Sequence, residues 1–213
     1  MIGRASAFGR VAALLVLAAA VLSSGCASDR RVYEGADGGF VVASIAVRKD
    51  TLFSMVRLDI RRRGGGDEGL IFFANDPLLP GPKPDFDTDE SRGAVGSVRL
   101  APGEYELHNF IASYGNTDMS AKQDFSIPFT VEAGGITYLG AYTFAALYGK
   151  NFFGMTVPSM PMISISNEQA RDIPIVKARA AEMAAAKVRA AVPDPRALKL
   201  PFFPPEPPPI HQR

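Results

Sequence analysis

Phe125-Ser126-Ile127-Pro128-Phe129-Thr130-Val131-Glu132-Ala133-Gly134-Gly135-Ile136-Thr137-Tyr138-Leu139-Gly140 is the stretch that decides the fold class. Phe125, Ile127, Phe129 and Val131 recur at every second position, the period of a half-buried strand. Ala133-Gly134-Gly135 turns the chain, and Ile136 to Ala146 returns as a second strand. Upstream, Leu100-Ala101-Pro102-Gly103-Glu104-Tyr105 reads as another hairpin, because Pro presets φ and Gly accepts φ > 0 at the centre of a type II turn. After it, Tyr105, Leu107, Asn109 and Ile111 alternate with Glu104, Glu106, His108 and Phe110.

The same punctuation runs back to Phe40. Val41, Ala43, Ile45 and Val47 alternate with Val42, Ser44, Ala46 and Arg48. Leu52, Ser54, Val56, Leu58 and Ile60 face away from Arg57, Asp59 and Arg61, and Gly64-Gly65-Gly66 ends that strand. Leu70 to Phe73 is a short apolar strand, and Asn75 to Gly93 is a long loop with four prolines. A last strand, Met162 to Ser166, completes a mainly β chain: an antiparallel β-sandwich of about seven to nine strands over residues 39–166.

Beyond Ser166 the character changes. Asn167 is a candidate N-cap with Glu168 in the first turn. Pro174 interrupts, and an Ala-rich helix is expected from about Pro174 to Ala191, within a helical segment 167–191. Val176, Ala180, Met183 and Ala184 form its narrow apolar stripe. This helix either packs back on the strands or projects as an arm. Residues 192–213 are Pro-rich and read as a disordered tail favouring polyproline II.

The N-terminus has the anatomy of a lipoprotein signal peptide over residues 1–25: Arg4 and Arg10, an apolar stretch from Val11 to Leu22, then Ser23-Ser24-Gly25-Cys26. Twelve apolar residues at ~1.5 Å each fall short of a ~30 Å hydrocarbon core, so a span is disfavoured. Cleavage between Gly25 and Cys26 would leave the chain's single cysteine as a lipidated N-terminus, with residues 26–38 as a short tether. The residues between Cys26 and Tyr33 reach only ~20–25 Å when extended. Asp does not follow the cysteine directly, which favours the outer membrane, inner leaflet, facing the periplasm.

Composition narrows the classes further. The chain of 213 residues carries 23 Lys+Arg against 22 Asp+Glu, and the two charges lost with the signal are both positive. That balance argues against nucleic acid. No disulfide can staple the fold, so it depends on a core, for which 14 Phe and many Val, Ile and Leu suffice.

The Leu100–Tyr105 hairpin resembles the L-x-P-G-x-Y turn of transthyretin-like and carboxypeptidase-regulatory-like β-sandwich domains. The stretch Phe125–Gly140 is similar to the strand, Ala-Gly turn and Tyr-Leu-Gly strand of uncharacterised bacterial envelope lipoproteins with such a domain. Asn167 to Ile173 resembles the Ser/Asn–acidic–x–x–Arg–Asp helix start that follows it there. The resemblance covers about residues 95 to 175 and implies an Ig/transthyretin-like sandwich. It implies no enzyme activity and no catalytic residues.

Residues with catalytic or metal-ligating chemistry are few. His108 sits on a strand and His211 in the tail, and no His, Cys and carboxylate spacing suits zinc. No nucleophile elbow, P-loop or dinucleotide fingerprint occurs. Asp85, Asp87 and Asp89 open like a Ca²⁺ loop, but Glu90 stands where Gly is needed and Gly96 where a bidentate Glu is needed. They read as a solvated acidic loop or a weak cation site. No metal, cofactor or catalytic residue is expected. The function read from this is a non-enzymatic, lipid-anchored envelope accessory or binding module, with an unknown envelope protein or the cell wall as partner. The alternatives are a structural tether working through the C-terminal helix and tail, and an envelope hydrolase.

Overall fold

A computed structural model describes residues 33–65 and 68–206. Gly25, Cys26 and His211 lie outside the described residues. Eleven strands are present among them, more than the seven to nine expected, because three short ones fall in stretches that read as loop or helix.

The first sheet takes β1 (Gly39–Arg48), β4 (Phe86–Asp87), β5 (Ser91–Leu100), β9 (Ile136–Lys150), β10 (Thr156–Ser166) and β11 (Val188–Ala190), in the order β10-β9-β1-β5-β4 with β11 also on β9. The second takes β2 (Met55–Arg62), β3 (Glu68–Ala74), β6 (Gly103–Tyr114), β7 (Thr117–Ser120) and β8 (Ile127–Val131), in the order β3-β2-β6-β7 with β8 also on β6. The expected all-antiparallel pairing needs correction, since β1 and β11 both run parallel to β9.

All ten residues of β1 are buried, polar face included. Val41, Ala43, Ile45 and Val47 join Val56, Leu58 and Ile60 of β2 in a hydrophobic cluster fed by both sheets. On the other face, Phe40 and Val42 meet Ile173, Val176 and Met183 from the C-terminal region. A strand covered on both sides needs no polar face, which is why its alternation is blurred in the sequence.

Two bulges switch which face the residues occupy. Between Val42↔Tyr138 and Ser44↔Ala141, β9 advances one residue more than β1, placing Leu139 and Gly140 at the irregularity. Tyr138 therefore packs with the outer cluster while Leu139, Tyr142 and Phe144 join the cluster between the sheets. Gly140 has φ +102, and a Cβ there would lie 3.0 Å from the Ser166 carbonyl oxygen. Gly140→Ala is expected to cost about 1–3 kcal/mol in chemical unfolding. In β6 the register passes from Asn109 to Leu107 and skips His108. Phe110 and Ala112 are buried as a result, and Asn109 and Ile111 are not, which reverses the alternation expected beyond Leu107.

The C-terminal region departs most from expectation. Helix α1 (Gln169–Arg179) starts earlier and runs through Pro174, with Glu168 rather than Asn167 at the N-cap. Asn167 Oδ1 instead accepts from the Gln169 N–H at 3.2 Å. The chain turns extended at Ala180, makes one turn, α2 (Ala181–Ala184), and then enters β11. The expected helix to Ala191 is thus replaced by a strand. Its cause is the edge of β9: β10 pairs only with Ala141–Lys150, so Ile136–Tyr138 would otherwise leave backbone groups unpaired. Ile136 N–H donates to the Lys187 carbonyl and Ala191 N–H to the Tyr138 carbonyl. Apolar residues of α1 and α2 face the sheet, so this segment packs back and does not project.

The tail is not a disordered stretch through 206 either. A short helix, α3 (Pro195–Leu198), leads to Phe202 and Phe203, which are buried. Their rings meet Phe110 and Phe125 at centroid distances of 5.0 to 6.5 Å. Ile163 N–H donates to the Phe202 carbonyl at 2.7 Å, covering part of the outer edge of β10. Burial of two aromatic side chains outweighs the polyproline preference around them.

Candidate functional site

The half of the first sheet's outer face that α1 leaves uncovered is paved with small residues. Pairing aligns Ala46, Thr143 and Ser164 across β1, β9 and β10, and beside them Ser44, Ala141 and Ser166. A cleft of about 380 Å³ stands on this floor. Its walls are Phe86 and Glu90 on one side, Pro195, Pro204 and Pro205 on another, and Glu168 and Arg171 of the α1 start. Three hydroxyl-bearing strands and a cation thus share one concavity of ligand size.

Arg171 is held from three directions. Its Nε donates to Asp172 Oδ1 at 2.8 Å, its Nη2 donates to Ser44 Oγ at 3.0 Å, and its guanidinium lies 3.8 Å from the Phe86 ring centroid. Asp172 is fully buried, and its Oδ2 accepts from the Tyr138 hydroxyl at 2.7 Å. The Tyr138 oxygen in turn accepts from the Glu168 N–H. Burial, with the Asp172 carboxylate beside it, pushes the Tyr138 hydroxyl well above the usual tyrosine range, so it stays a donor. The tyrosine of Tyr-Leu-Gly and the aspartate of Arg-Asp, 34 residues apart, therefore form one buried link that fixes the arginine at the cleft wall.

The sequence candidates are dispersed by comparison. Asp85 Oδ2 accepts from the Val95 N–H at 2.7 Å, and its other oxygen pairs with Arg179. Asp87 lies 2.8 Å from Lys49 and 3.7 Å from Arg92, and the lysine hydrogen bond holds its carboxyl below the usual range. Asp89 is exposed. The three are not brought together on a common point, and no group of three His, Cys, Asp or Glu side chains converges among the described residues. His108 sits at the β6 bulge in the other sheet and does not line the cleft. Cys26 cannot be placed, being outside the described residues.

Sequence reading missed Arg171, Ser44, Thr143 and Ser164 as a set. Only the Arg-Asp helix start marked one of them, and the small-residue floor becomes visible only once the strand order is known.

On the second sheet, Glu106 accepts from Arg61 Nε at 2.6 Å and from the Ser126 hydroxyl. The Ser126 hydrogen bond, then Arg61, holds its carboxyl below the ordinary 4.5. A depressed folded value contributes stability above the ordinary carboxylate range, and that contribution is lost as pH falls through the folded value. Glu106→Gln is therefore expected to flatten the fall of the urea midpoint below about pH 5. An unchanged slope would refute this coupling.

No family model matches the chain, and no curated protein matches it. Among solved structures, a leucine-rich repeat protein from Bacteroides thetaiotaomicron aligns with 51% of this chain and 14% of its own length, at 14% identity and a TM-score of 0.31. The chain thus spans about one seventh of that protein, a likeness too slight to bear on fold or function. No helix among the described residues is long and apolar enough to cross a membrane.

Proposed function

We propose that this protein is a lipid-anchored envelope binding module, non-enzymatic, built on an Ig/transthyretin-like β-sandwich, with the cleft over β1, β9 and β10 as its ligand site. The shared core between the two sheets supports the sandwich reading. The Ser23-Ser24-Gly25-Cys26 sequence supports the anchor, with cleavage before Cys26 and the domain facing the periplasm from the outer membrane.

The observation that carries the binding role is Arg171 held at the cleft wall over a hydroxyl floor. A fixed cation and neighbouring hydroxyls present donors without reorganisation, which suits a ligand rich in hydroxyl and carbonyl acceptors. The cell-wall glycopeptide has that chemistry, and part of a disaccharide-peptide fragment would enter the cleft. Titrating a soluble fragment into the ¹⁵N-labelled domain should move the amide signals of Ser44, Thr143 and Ser164, and Ser164→Phe should weaken binding at least about tenfold by filling the floor. Shifts confined to other surfaces, or none at millimolar fragment, would overturn the assignment.

A further inference from the structure

Six large apolar side chains are exposed among the described residues, and strand directions put all six at one end. Leu52 lies between β1 and β2, Leu78 and Leu79 follow β3, and Phe152, Phe153 and Met155 cap the β9–β10 hairpin. β1 and β9 run parallel, so both finish at this end, and the pairing Met55↔Ala74 brings the end of β3 there too.

The hairpin tip is built to hold its rings outward. Asn151 Oδ1 accepts from the N–H groups of Phe153 and Met155, both at 3.0 Å, and the Asn151 N–H donates to the Met155 carbonyl. Gly154, at φ +75, closes the turn. Phe152 is 98% and Phe153 80% exposed, edge to face, although nothing in the turn prevents a polar pair at these positions.

We propose that this end inserts into a lipid surface, with Phe152 and Phe153 entering the acyl boundary. Shape favours lipid over the alternatives, while the charge here is mixed: Asp89 and Glu90 are exposed on the turn that the Arg48↔Ser91 pairing places at this end. Behind the rings, the Lys150 ammonium donates to Thr156 Oγ1 and forms no ion pair among the described residues, which leaves it free to meet a phosphate headgroup. Lys83, exposed on the loop that carries Leu78 and Leu79, stands similarly. Asp76, the acid nearest Leu78, turns its carboxylate onto the Leu78 N–H. Separate convex tips would each need a matching pocket in a protein or a second copy, whereas a fluid interface accommodates them together. The 15 residues of β9 at ~3.3 Å each put this end roughly 50 Å from the end where Tyr33 leads into β1.

The chain contains no tryptophan, so Phe152→Trp supplies a unique reporter. The test uses the chain from residue 26 with Cys26→Ser, which carries no acyl group, and Val32–Arg213 forms a compact unit by itself. Adding phosphatidylethanolamine–phosphatidylglycerol vesicles should shift the emission to the blue, and bromine on the lipid acyl chains should quench it. Phe152→Ser with Phe153→Ser should weaken vesicle sedimentation at least about tenfold, with an unchanged melting curve. Emission unmoved by vesicles overturns the proposal, and a blue shift on concentrating the chain without lipid would assign the tip to a second copy. Equal sedimentation of the double variant would also overturn it.

Discussion

Phe203→Ala is expected to lower the unfolding free energy by about 3–5 kcal/mol, the range for removing a buried aromatic ring. At this chain size that corresponds to a fall in Tm of roughly 10 °C. The ring is 1% exposed and is packed among Phe110, Phe125 and Phe202, where the remaining side chains cannot collapse into the space without moving the strands. The same segment supplies Pro204 and Pro205 to the cleft wall, so loosening it should also weaken any ligand held there. A chain ending after Leu198 should lose both rings and the Ile163–Phe202 hydrogen bond and melt lower still. Calorimetry of the point variant within about 0.5 kcal/mol of wild type would show that the C-terminal segment does not seal the core.

Asp172→Ala is expected to be comparably damaging, at about 3–5 kcal/mol, because removing one member of a buried charged network strands its partners. Tyr138 would keep a buried hydroxyl without its acceptor, and Arg171 would lose the carboxylate that aims it. Tyr138→Phe takes the donor from Asp172 Oδ2 but leaves the carboxylate paired with Arg171, and should cost less, about 1.5–3 kcal/mol. The ordering of these two variants is the informative result. If Asp172→Ala were the milder, the link between the helix start and β9 would not be what seats α1. Both variants should reduce glycopeptide binding, Asp172→Ala more strongly, since it frees the guanidinium to leave the wall.

Much of the strand pattern is readable in the chain because half-buried strands must alternate. Val56, Leu58 and Ile60 are on one face of β2 and buried, as alternation requires. Alternation fails where the backbone slips by one residue: nothing in Leu107-His108-Asn109 announces that Phe110, not Asn109, faces the core. Gly140 leaves a clue, yet a glycine in a strand does not say which face the following residues take.

The prolines of β10 illustrate another limit. β10 starts at Thr156, six residues before the expected Met162, and takes in Pro158 and Pro161; an edge strand tolerates prolines, and edge position is a property of the assembled sheet. Likewise, Lys187 to Ala191 has helix-forming composition, and only the unpaired start of β9 makes it a strand. The cleft was the least legible feature. Its hydroxyls come from three strands up to 120 residues apart, and its arginine is chosen by Tyr138 and Asp172, not by any local motif.

The anchored, envelope-facing role is tested most directly by the intact mass of the protein extracted from membranes of its native host. A mature chain starting at Cys26, heavier by a thioether-linked diacylglycerol, is the predicted result. A mature chain with an unacylated N-terminus, beginning at a residue other than Cys26, would contradict it.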